Sequence, residues 1–175
     1  MIPSPPIRAA VVVASDRCAR GDAVDASGPA VADVLRNRLH AIVVETRCLP
    51  DDRADLSAAF RELAHPDRGI DLVASTGGTG LAPRDVVPEA ARDVIEREHE
   101  GLMDLARLRC LERTPLAFLS RGVAGTVGST LIVTLPGSPR GAVEMLEAVA
   151  DVLPHAVEML RGERNPVADR GRHGA

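Results

Sequence analysis

IDLVASTGGTGLAPRDVVPE, residues 70–89, is the segment around which the fold of this chain is predicted. Its apolar start, Ile70 to Ala74, predicts a buried strand, and the Ser/Thr/Gly-rich loop that follows leads into a predicted helix. A strand, a Gly-rich turn and a helix in this order present backbone N–H groups to an anion in α/β proteins. Arg84 and Asp85 stand side by side at the start of the helix, where a phosphate loop ordinarily brings a lysine. This combination predicts phosphate chemistry assisted by a metal ion.

Short apolar runs alternate with helical patterns on both sides of this segment. The apolar runs predict further strands at residues 7–14, 41–49, 116–120 and 130–135. The helical spacing of apolar residues predicts helices over 27–39, 52–63, 89–98, 102–111 and 141–160, with a break at Pro154. Ser27 and Asp52 are predicted to cap the helices that they begin. The alternation predicts an α/β fold in which helices flank both faces of a mostly parallel central sheet.

In the helix over 102–111, the leucines recur at helical spacing, and we expect them to form its buried stripe. These positions are Leu102, Leu105, Leu108 and Leu111.

Four polar or Gly-rich loops follow predicted strands, at residues 15–28, 50–52, 75–85 and 136–139. The carboxyl ends of parallel strands meet at one edge of the sheet, and ligands of such folds bind beyond that edge. We therefore expect the four loops to converge on an active site.

The loop Thr76-Gly77-Gly78-Thr79-Gly80 is the first candidate for ligand binding. Its glycines allow positive φ angles and a close approach of a ligand to the backbone, and both threonine hydroxyls can donate to phosphate oxygens. The loop is neither a P-loop nor a GxGxxG motif, because it has no lysine and because Pro83 occupies the last position of the second pattern. A tight turn without a ligand is the alternative interpretation.

Asp51 and Asp85 each follow a strand and precede a helix. The ordinary role of a carboxylate at such a position is to cap the helix. Two carboxylates at one edge of the sheet, beside a phosphate-binding loop, can instead share a Mg²⁺ ion with the phosphates of a substrate. Ser15 and Asp16 add polar groups at the same edge, and Pro136-Gly137-Ser138 forms a second small-residue turn in front of a helix.

The composition excludes several classes of function. The 175 residues carry a net charge of −4 and only two aromatic side chains, so the chain lacks the basic surface and the stacking platforms of nucleic-acid-binding proteins. All 21 basic residues are arginines, which excludes a catalytic lysine. Any cation that neutralises a phosphate must then be an arginine, a metal ion or the N-terminus of a helix.

The cysteines and the two termini indicate an ordinary intracellular protein. Cys18, Cys48 and Cys110 are too far apart in sequence for a zinc site or a disulfide framework. The N-terminus resembles neither a signal peptide nor a membrane anchor, and we expect a cytoplasmic location. We predict a flexible N-terminus over residues 1–6, one domain over 7–163 and a disordered tail over 164–175.

Five segments of the chain resemble the MoaB/Mog family of molybdopterin-binding domains, which includes the molybdopterin adenylyltransferases and the N-terminal domain of gephyrin. These segments are SDRCARGDAVDASGP (15–29), LPDD (49–52), STGGTGLAPRDVVPEA (75–90), LSRGVAG (119–125) and LPGSPRGAVE (135–144). The resemblance implies a three-layer sandwich with a mostly parallel central sheet, assembled as a homotrimer.

The resemblance also implies a reaction, in which Mg²⁺-dependent transfer of AMP from ATP to molybdopterin releases pyrophosphate. The adenylylated product would pass to a molybdate-insertion enzyme. The catalytic carboxylates of the family correspond to Asp51 and Asp85, and its pterin and phosphate site corresponds to Thr76–Gly80, Ser120 and Pro136–Ser138. Arg84 is expected to help neutralise charge.

The chain departs from the family pattern at three positions. Thr134 replaces a frequent asparagine, Cys110 replaces a serine of some members, and Glu100 replaces a frequent proline. None of these changes touches Asp51 or Asp85, so the enzyme stays the main hypothesis. The alternative is a MoaB-like protein that holds or carries molybdopterin without adenylylating it. A domain of a molybdate-insertion enzyme or of a CinA-like hydrolase would require a much longer chain.

Overall fold

A six-stranded sheet forms the centre of the protein in a computed structural model that describes residues 5–162. The strand order is β2-β1-β3-β6-β5-β4. The pairs β2–β1, β1–β3 and β3–β6 are parallel, and the pairs β6–β5 and β5–β4 are antiparallel. The strands are β1 (Arg8–Ala14), β2 (Ile42–Leu49), β3 (Leu72–Thr76), β4 (Arg97–Glu98), β5 (Ala124–Val127) and β6 (Thr130–Leu135).

Helices cover both faces of this sheet. The described residues form α1 (Asp16–Ala19), α2 (Ser27–Leu39), α3 (Arg53–Leu63), α4 (Val87–Arg92), α5 (Glu100–Cys110), α6 (Pro139–Glu147) and α7 (Leu153–Leu160). Two short 3₁₀ helices lie at Pro66–Arg68 and Pro115–Leu119. None of the helices within residues 5–162 has the length and apolarity needed to cross a membrane.

Successive side chains of β3 point to opposite faces of the sheet, and the core accordingly consists of two clusters, one on each face. Leu72 and Ala74 pack in the cluster that includes Leu35 of α2, while Val73 packs in the cluster that includes Phe60 of α3. All five residues of β3 are buried, as expected for a central parallel strand. The predicted three-layer α/β architecture, with its mostly parallel sheet, is confirmed.

The helix predicted over residues 89–98 is wrong in its second half, because α4 ends at Arg92. Arg97 and Glu98 instead form the edge strand β4, opposite Thr126 and Gly125 of β5. The local sequence favours a helix, but pairing with the sheet satisfies the backbone groups of this segment instead.

The strand predicted over residues 116–120 is also wrong. The segment forms the 3₁₀ helix Pro115–Leu119, and the hydroxyl oxygen of Thr114 accepts from the amide of Leu116 at 3.2 Å. The position beside β6 in the sheet is already taken by β5, so the apolar residues Leu116 and Phe118 stay exposed.

The leucine stripe predicted for α5 is wrong in part. Leu102 is buried, but Leu108 and Leu111 are exposed. The helix instead buries Met103 and other residues on a rotated face, which also includes Ala106 and Cys110.

Of the two predicted helix caps, Asp52 is confirmed and Ser27 is wrong. Asp52 accepts from the amides of Ala54 and Asp55 and caps α3. Ser27 is the first residue of α2 rather than its cap, because Asp25 Oδ1 accepts from the Ser27 amide at 3.0 Å and from the Gly28 amide at 2.9 Å. Both residue types can cap a helix, and only the path of the loop decides between them.

Arg161 joins the last described residues to the edge of the sheet opposite the predicted active site. Its guanidinium donates to both carboxylate oxygens of Asp71, at 2.9 and 2.7 Å, and to the carbonyls of Pro5 and Pro6. Asp71 also accepts from the amide of Arg8 at 2.7 Å, which starts β1. The flexible start predicted over 1–6 falls mostly outside the described residues, as does the tail predicted over 164–175.

Arg161→Met is expected to lower the free energy of unfolding by about 1–3 kcal/mol, because it leaves a mostly buried carboxylate with fewer charged donors. Urea unfolding of the variant and the wild type measures this difference. Arg36→Met is a suitable control, since Arg36 pairs with Asp33 in an exposed contact at 3.3 Å. Equal losses in the two variants would contradict the prediction.

Candidate active site

The four loops that follow the strands meet around a cavity of about 330 Å³ at the carboxyl edge of the sheet. Each loop contributes to the wall, as the sequence predicted. The lining includes Ser15, Cys18, Asp25, Asp51, Gly77, Gly78, Arg84, Asp85, Gly137 and Pro139. We call this space the rim cavity.

Asp51 enters the rim cavity at the end of β2, where it forms a reciprocal pair with Asp16. The amide of Asp16 donates to Asp51 Oδ2 and the amide of Asp51 donates to Asp16 Oδ1, both at 3.1 Å. The parallel register of β1 and β2 brings the two loops together, and the amide of Ser15 donates to the Leu49 carbonyl at 2.9 Å. Asp52, not Asp51, caps α3, so the capping alternative for Asp51 is excluded.

Asp85 reaches the same cavity from the loop between β3 and α4. Its Oδ2 accepts from the amide of Ala82 at 2.8 Å, which closes a turn in front of the helix. Val86 is the N-cap of α4 and makes no side-chain capping bond, so Asp85 does not cap this helix either. Capping of the helix that follows therefore explains neither of the two carboxylates.

Two glycines let the backbone of the loop lie against its neighbours. Gly77 has φ +100°, and a Cβ atom there would lie 2.1 Å from the carbonyl oxygen of Ala14. Gly78 has φ +56°, and a Cβ atom there would lie 3.3 Å from Asp51 Oδ1. The loop thus passes directly beside the Asp51 carboxylate, which the distance along the chain does not reveal.

In the backbone of Gly78, Thr79 and Gly80, the carbonyls accept hydrogen bonds and the amides donate none to the described residues. The carbonyl of Gly78 accepts from the Val87 amide at 3.1 Å, and the carbonyls of Thr79 and Gly80 accept from Arg121 at 2.8 and 2.7 Å. The three amides have no hydrogen-bond partner within residues 5–162. Gly78 lines the rim cavity, and an amide without a partner at a cavity wall is what an anion requires.

The threonine hydroxyls do not behave as the sequence predicted. Thr76 donates to the carbonyl of Pro136 at 2.7 Å, and Thr79 lies 3.2 Å from the hydroxyl of Ser120. Both threonine side chains are buried. They hold the loop to neighbouring segments, and phosphate donors must instead come from the backbone.

The remaining predicted site residues occupy different places. Ser15 accepts from the amide of Cys18 and caps the short helix α1, and Gly137 packs against Gly77. Ser120 lies outside the rim cavity and accepts from the amide of Gly122 at 3.3 Å. Ser138 caps α6 through the amide of Gly141 at 3.2 Å.

A second cavity, of about 390 Å³, lies on the other side of the Pro136–Pro139 turn. Its lining includes Pro136, Ser138, Cys110, Arg113, Leu116 and Met145. Burial raises the pKa of the Cys110 thiol, and the nearby Glu144 carboxylate raises it further. The Cys110 thiol is therefore less reactive as a nucleophile near neutral pH than an ordinary cysteine.

The rim cavity offers carboxylate oxygens as ligands for a hard cation, but too few to complete its coordination from the protein alone. Asp51 and Asp85 each use Oδ2 for a backbone amide, and no donor within residues 5–162 bonds the Oδ1 atom of either. That part of the chain holds no cluster of three or more metal-binding side chains. These residues fit Mg²⁺, which is held by one or two carboxylates together with substrate phosphates and water.

Arg84 lines the rim cavity with an exposed side chain and makes no ion pair with any described residue. It is therefore available to neutralise the charge of a bound anion.

Arg121 is the residue that the sequence reasoning did not single out. Its guanidinium donates to the carbonyls of Gly80 and Asp85 and forms an ion pair with Glu89. The partners lie 32 to 41 residues away along the chain, so no local pattern reveals them. The only sequence signal was its position inside the LSRGVAG segment.

The hydrogen bond from Arg121 lowers the pKa of Glu89 below its ordinary value of 4.5. The stability that this pair contributes is therefore fully present above pH 4.5 and is lost as the pH falls through the lower folded value. We expect Glu89→Gln to lower the free energy of unfolding more at pH 7 than at pH 3, because acid partly protonates Glu89 and weakens the pair in the wild type. Urea unfolding at both pH values measures this, and an equal difference at the two values would contradict it.

A family model described as "Probable molybdopterin binding domain" matches residues 10–155. The chain belongs to this family. Molybdopterin adenylyltransferase of Helicobacter pylori strain J99 is 34% identical over 165 residues, which cover 94% of this chain and 93% of that protein. The solved structure of the molybdopterin biosynthesis enzyme MoaB of Thermus thermophilus is 44% identical, with a TM-score of 0.83. The match covers 90% of this chain and 98% of the Thermus chain.

The molybdopterin-binding domain also occurs within larger proteins. Gephyrin of Dictyostelium discoideum is 34% identical over 163 residues, which cover 87% of this chain. The chain spans only 22% of the length of that protein. The likeness to gephyrin therefore concerns the domain and its fold.

Proposed function

We propose that this protein transfers AMP from ATP to molybdopterin, giving adenylylated molybdopterin and pyrophosphate in the biosynthesis of the molybdenum cofactor. The observation that carries the proposal is the meeting of Asp51 and Asp85 in one cavity, beside a loop whose amides have no partner among the described residues. The similarity to the H. pylori adenylyltransferase over nearly the full length of both chains supports the same reaction.

The proposed reaction is an in-line displacement at phosphorus. An oxygen of the terminal phosphate of molybdopterin bonds to the α-phosphorus of ATP, while the bond from that phosphorus to the bridging oxygen of pyrophosphate breaks. The attacking phosphate is already ionised near neutral pH, so no strong general base is required. Catalysis then consists of positioning the two substrates and neutralising charge.

The amides of Gly78, Thr79 and Gly80 are the proposed donors to a substrate phosphate, and Arg84 adds positive charge beside them. Asp51 and Asp85 would hold Mg²⁺ through their free Oδ1 atoms. When bound, this ion supplies positive charge to the phosphates and to the departing pyrophosphate. Because the chain has no lysine, a metal ion and arginine are the cations available for this task.

The proposed reaction brings two substrates, molybdopterin and ATP, to the same edge of the sheet. The Pro136–Pro139 turn separates the rim cavity from the second one and contributes to both walls. A substrate lying across the turn therefore reaches both spaces. On this ground we assign Pro136, Gly137 and Ser138 to the binding of molybdopterin. We assign Ser120 to the same role, because its hydroxyl lies beside that of Thr79.

Three further features belong to the same proposal. We expect a homotrimer, a cytoplasmic location, and delivery of the adenylylated product to a molybdate-insertion enzyme. The family resemblance motivates each of them. Sedimentation equilibrium tests the first, and a mass equal to one chain would contradict it.

The alternative is a MoaB-like protein that binds molybdopterin without adenylylating it. The 44% identity to the Thermus MoaB brings this alternative into consideration, although that protein is itself called a molybdopterin biosynthesis enzyme. The free carboxylate oxygens of Asp51 and Asp85 argue for the enzyme, because a carrier has no need of a metal-binding pair.

One assay distinguishes the two functions. The purified protein is incubated with molybdopterin, ATP and Mg²⁺, and both pyrophosphate and adenylylated pterin are measured over time. Equal molar amounts of the two products are expected, and omission of Mg²⁺ should abolish both. Tight binding of molybdopterin without either product would favour the carrier and contradict the enzyme.

A further inference from the structure

Arg121 connects the loop that carries Asp85 to the rest of the domain. We propose that Arg121 is a positioning residue for nucleotidyl transfer, which sets the place of the Asp85 carboxylate without contacting substrate. The proposal rests on the function proposed above. Its basis is the set of bonds that one arginine makes to Gly80, Asp85 and Glu89.

These bonds fix both ends of the 80–85 loop. Nε of Arg121 donates to the Gly80 carbonyl at 2.7 Å, and an Nη2 hydrogen is donated to the Asp85 carbonyl. The backbone amide of Arg121 also donates to the Thr79 carbonyl at 2.8 Å. The loop between these points is exposed, and its own bonds are those within the turn from Ala82 to Asp85. Arg121 is therefore its main attachment to the neighbouring layer.

The Glu89 carboxylate holds the guanidinium in the orientation that these bonds require. Glu89 lies in the first turn of α4, directly after the loop, and accepts from Arg121 Nη1 at 2.5 Å. The arginine thus bonds to the loop before Asp85, to Asp85 itself and to the helix after it. A guanidinium has five N–H donors in one rigid plane, and an ammonium group cannot satisfy acceptors so arranged.

A second arginine anchors the segment in which Arg121 lies. Arg107 of α5 donates to the carbonyl of Ser120 at 3.2 Å and to that of Gly122 at 2.5 Å, on either side of Arg121. Its side chain is mostly buried, at 16% exposure. The backbone of Arg121 is therefore fixed from α5, and the loop of Asp85 is fixed in turn from Arg121.

This arrangement matters because catalysis by positioning is sensitive to small displacements. A shift of about 1 Å in a group that orients a reacting partner can lower the rate by roughly 10²-fold. Asp85 is on an exposed loop, and loops hold such groups less accurately than strands and helices do. Arg121 gives this loop the rigidity that its own sequence lacks.

The test compares Arg121→Met, Arg121→Lys and the control Arg92→Met. Arg92 of α4 is a matched control because it also pairs with a glutamate, Glu98 of β4 at 2.9 Å, and makes no hydrogen bond to the loop among the described residues. The measurements are kcat, KM for molybdopterin, the Mg²⁺ concentration at half-maximal rate and the melting temperature. Hydrogen–deuterium exchange of peptides covering residues 78–87 is measured without substrates.

We expect Arg121→Met to lower kcat by about 10²-fold and to raise the Mg²⁺ requirement, while KM for molybdopterin changes by less than about threefold. Exchange within residues 78–87 should accelerate in this variant, because the loop opens more often. Arg121→Lys should lie between Arg121→Met and the wild type, and Arg92→Met should match the wild type in kcat, KM, Mg²⁺ requirement and exchange of residues 78–87.

Two results would overturn the proposal. One is a kcat and Mg²⁺ requirement of Arg121→Met within twofold of the wild type. The other is unchanged exchange of residues 78–87 in that variant. If the wild-type protein itself formed no adenylylated pterin, the proposed function would fail, and the exchange measurement would still decide whether Arg121 holds the Asp85 loop.

Discussion

Asp85→Asn is expected to lower the rate of adenylyl transfer by about 10²–10³-fold while molybdopterin still binds. The substitution removes the negative charge that would hold Mg²⁺ in the rim cavity. It leaves the local fold intact, because the amide oxygen of asparagine can still accept from the Ala82 backbone, as the carboxylate does at 2.8 Å. The loss should therefore appear in kcat and in the Mg²⁺ requirement rather than in the affinity for the pterin.

Asp52→Asn is the control for this experiment. Asp52 lies next to Asp51 in sequence, but its side chain caps α3 and does not line the rim cavity. Asparagine is as good a cap as aspartate, so the control removes one negative charge near the site at little cost in stability. Pyrophosphate release and pterin binding are measured for both variants. Normal turnover by Asp85→Asn would contradict the role assigned to Asp85.

Gly77→Ala is expected to destabilise the protein by roughly 3 kcal/mol or more, which is a large part of the stability of a domain. Two effects combine at this position. The φ angle of +100° is one that residues with a side chain rarely adopt, and a methyl group would lie 2.1 Å from the backbone oxygen of Ala14. Neither β1 nor β3 can move aside, because both are central strands of the sheet.

Gly128→Ala separates these two effects. Gly128 also has a positive φ, of +55°, but a Cβ atom there meets nothing within 4 Å. We expect Gly128→Ala to lower the free energy of unfolding by about 1 kcal/mol, which is the cost of the backbone strain alone. Urea unfolding of both variants measures the difference, and recovery of Gly77→Ala only as unfolded protein agrees with the prediction. A loss no greater than that of Gly128→Ala would show that the contact with Ala14 relaxes easily.

Much of the candidate site could be predicted because parallel topology determines where loops meet. Once β1, β2, β3 and β6 are recognised as parallel strands, the loops after them must share one edge of the sheet. Asp51 and Asp85 then reach one cavity although 34 positions separate them in sequence. This part of the site required only the apolar runs and the turns between them.

The two wrong predictions of secondary structure have a common physical cause. Residues 89–98 favour a helix locally, but Arg97 and Glu98 extend the sheet beside β5. Residues 116–120 have the composition of a strand, but β5 takes the position beside β6. In both segments, pairing with distant residues decides the outcome, and such pairing leaves no periodic signal in the local sequence.

The sequence by itself determined the α/β architecture, the edge at which the candidate site lies and the two carboxylates that line it. These follow from periodicity and from turn residues, which act over a few neighbouring positions. Only the tertiary structure decided which groups are free to bind a ligand. It directs the hydroxyls of Thr76 and Thr79 into contacts within the chain and leaves the amides of the loop available. It also brings Arg121 to the Asp85 loop, because that contact depends on how the layers pack rather than on any local pattern.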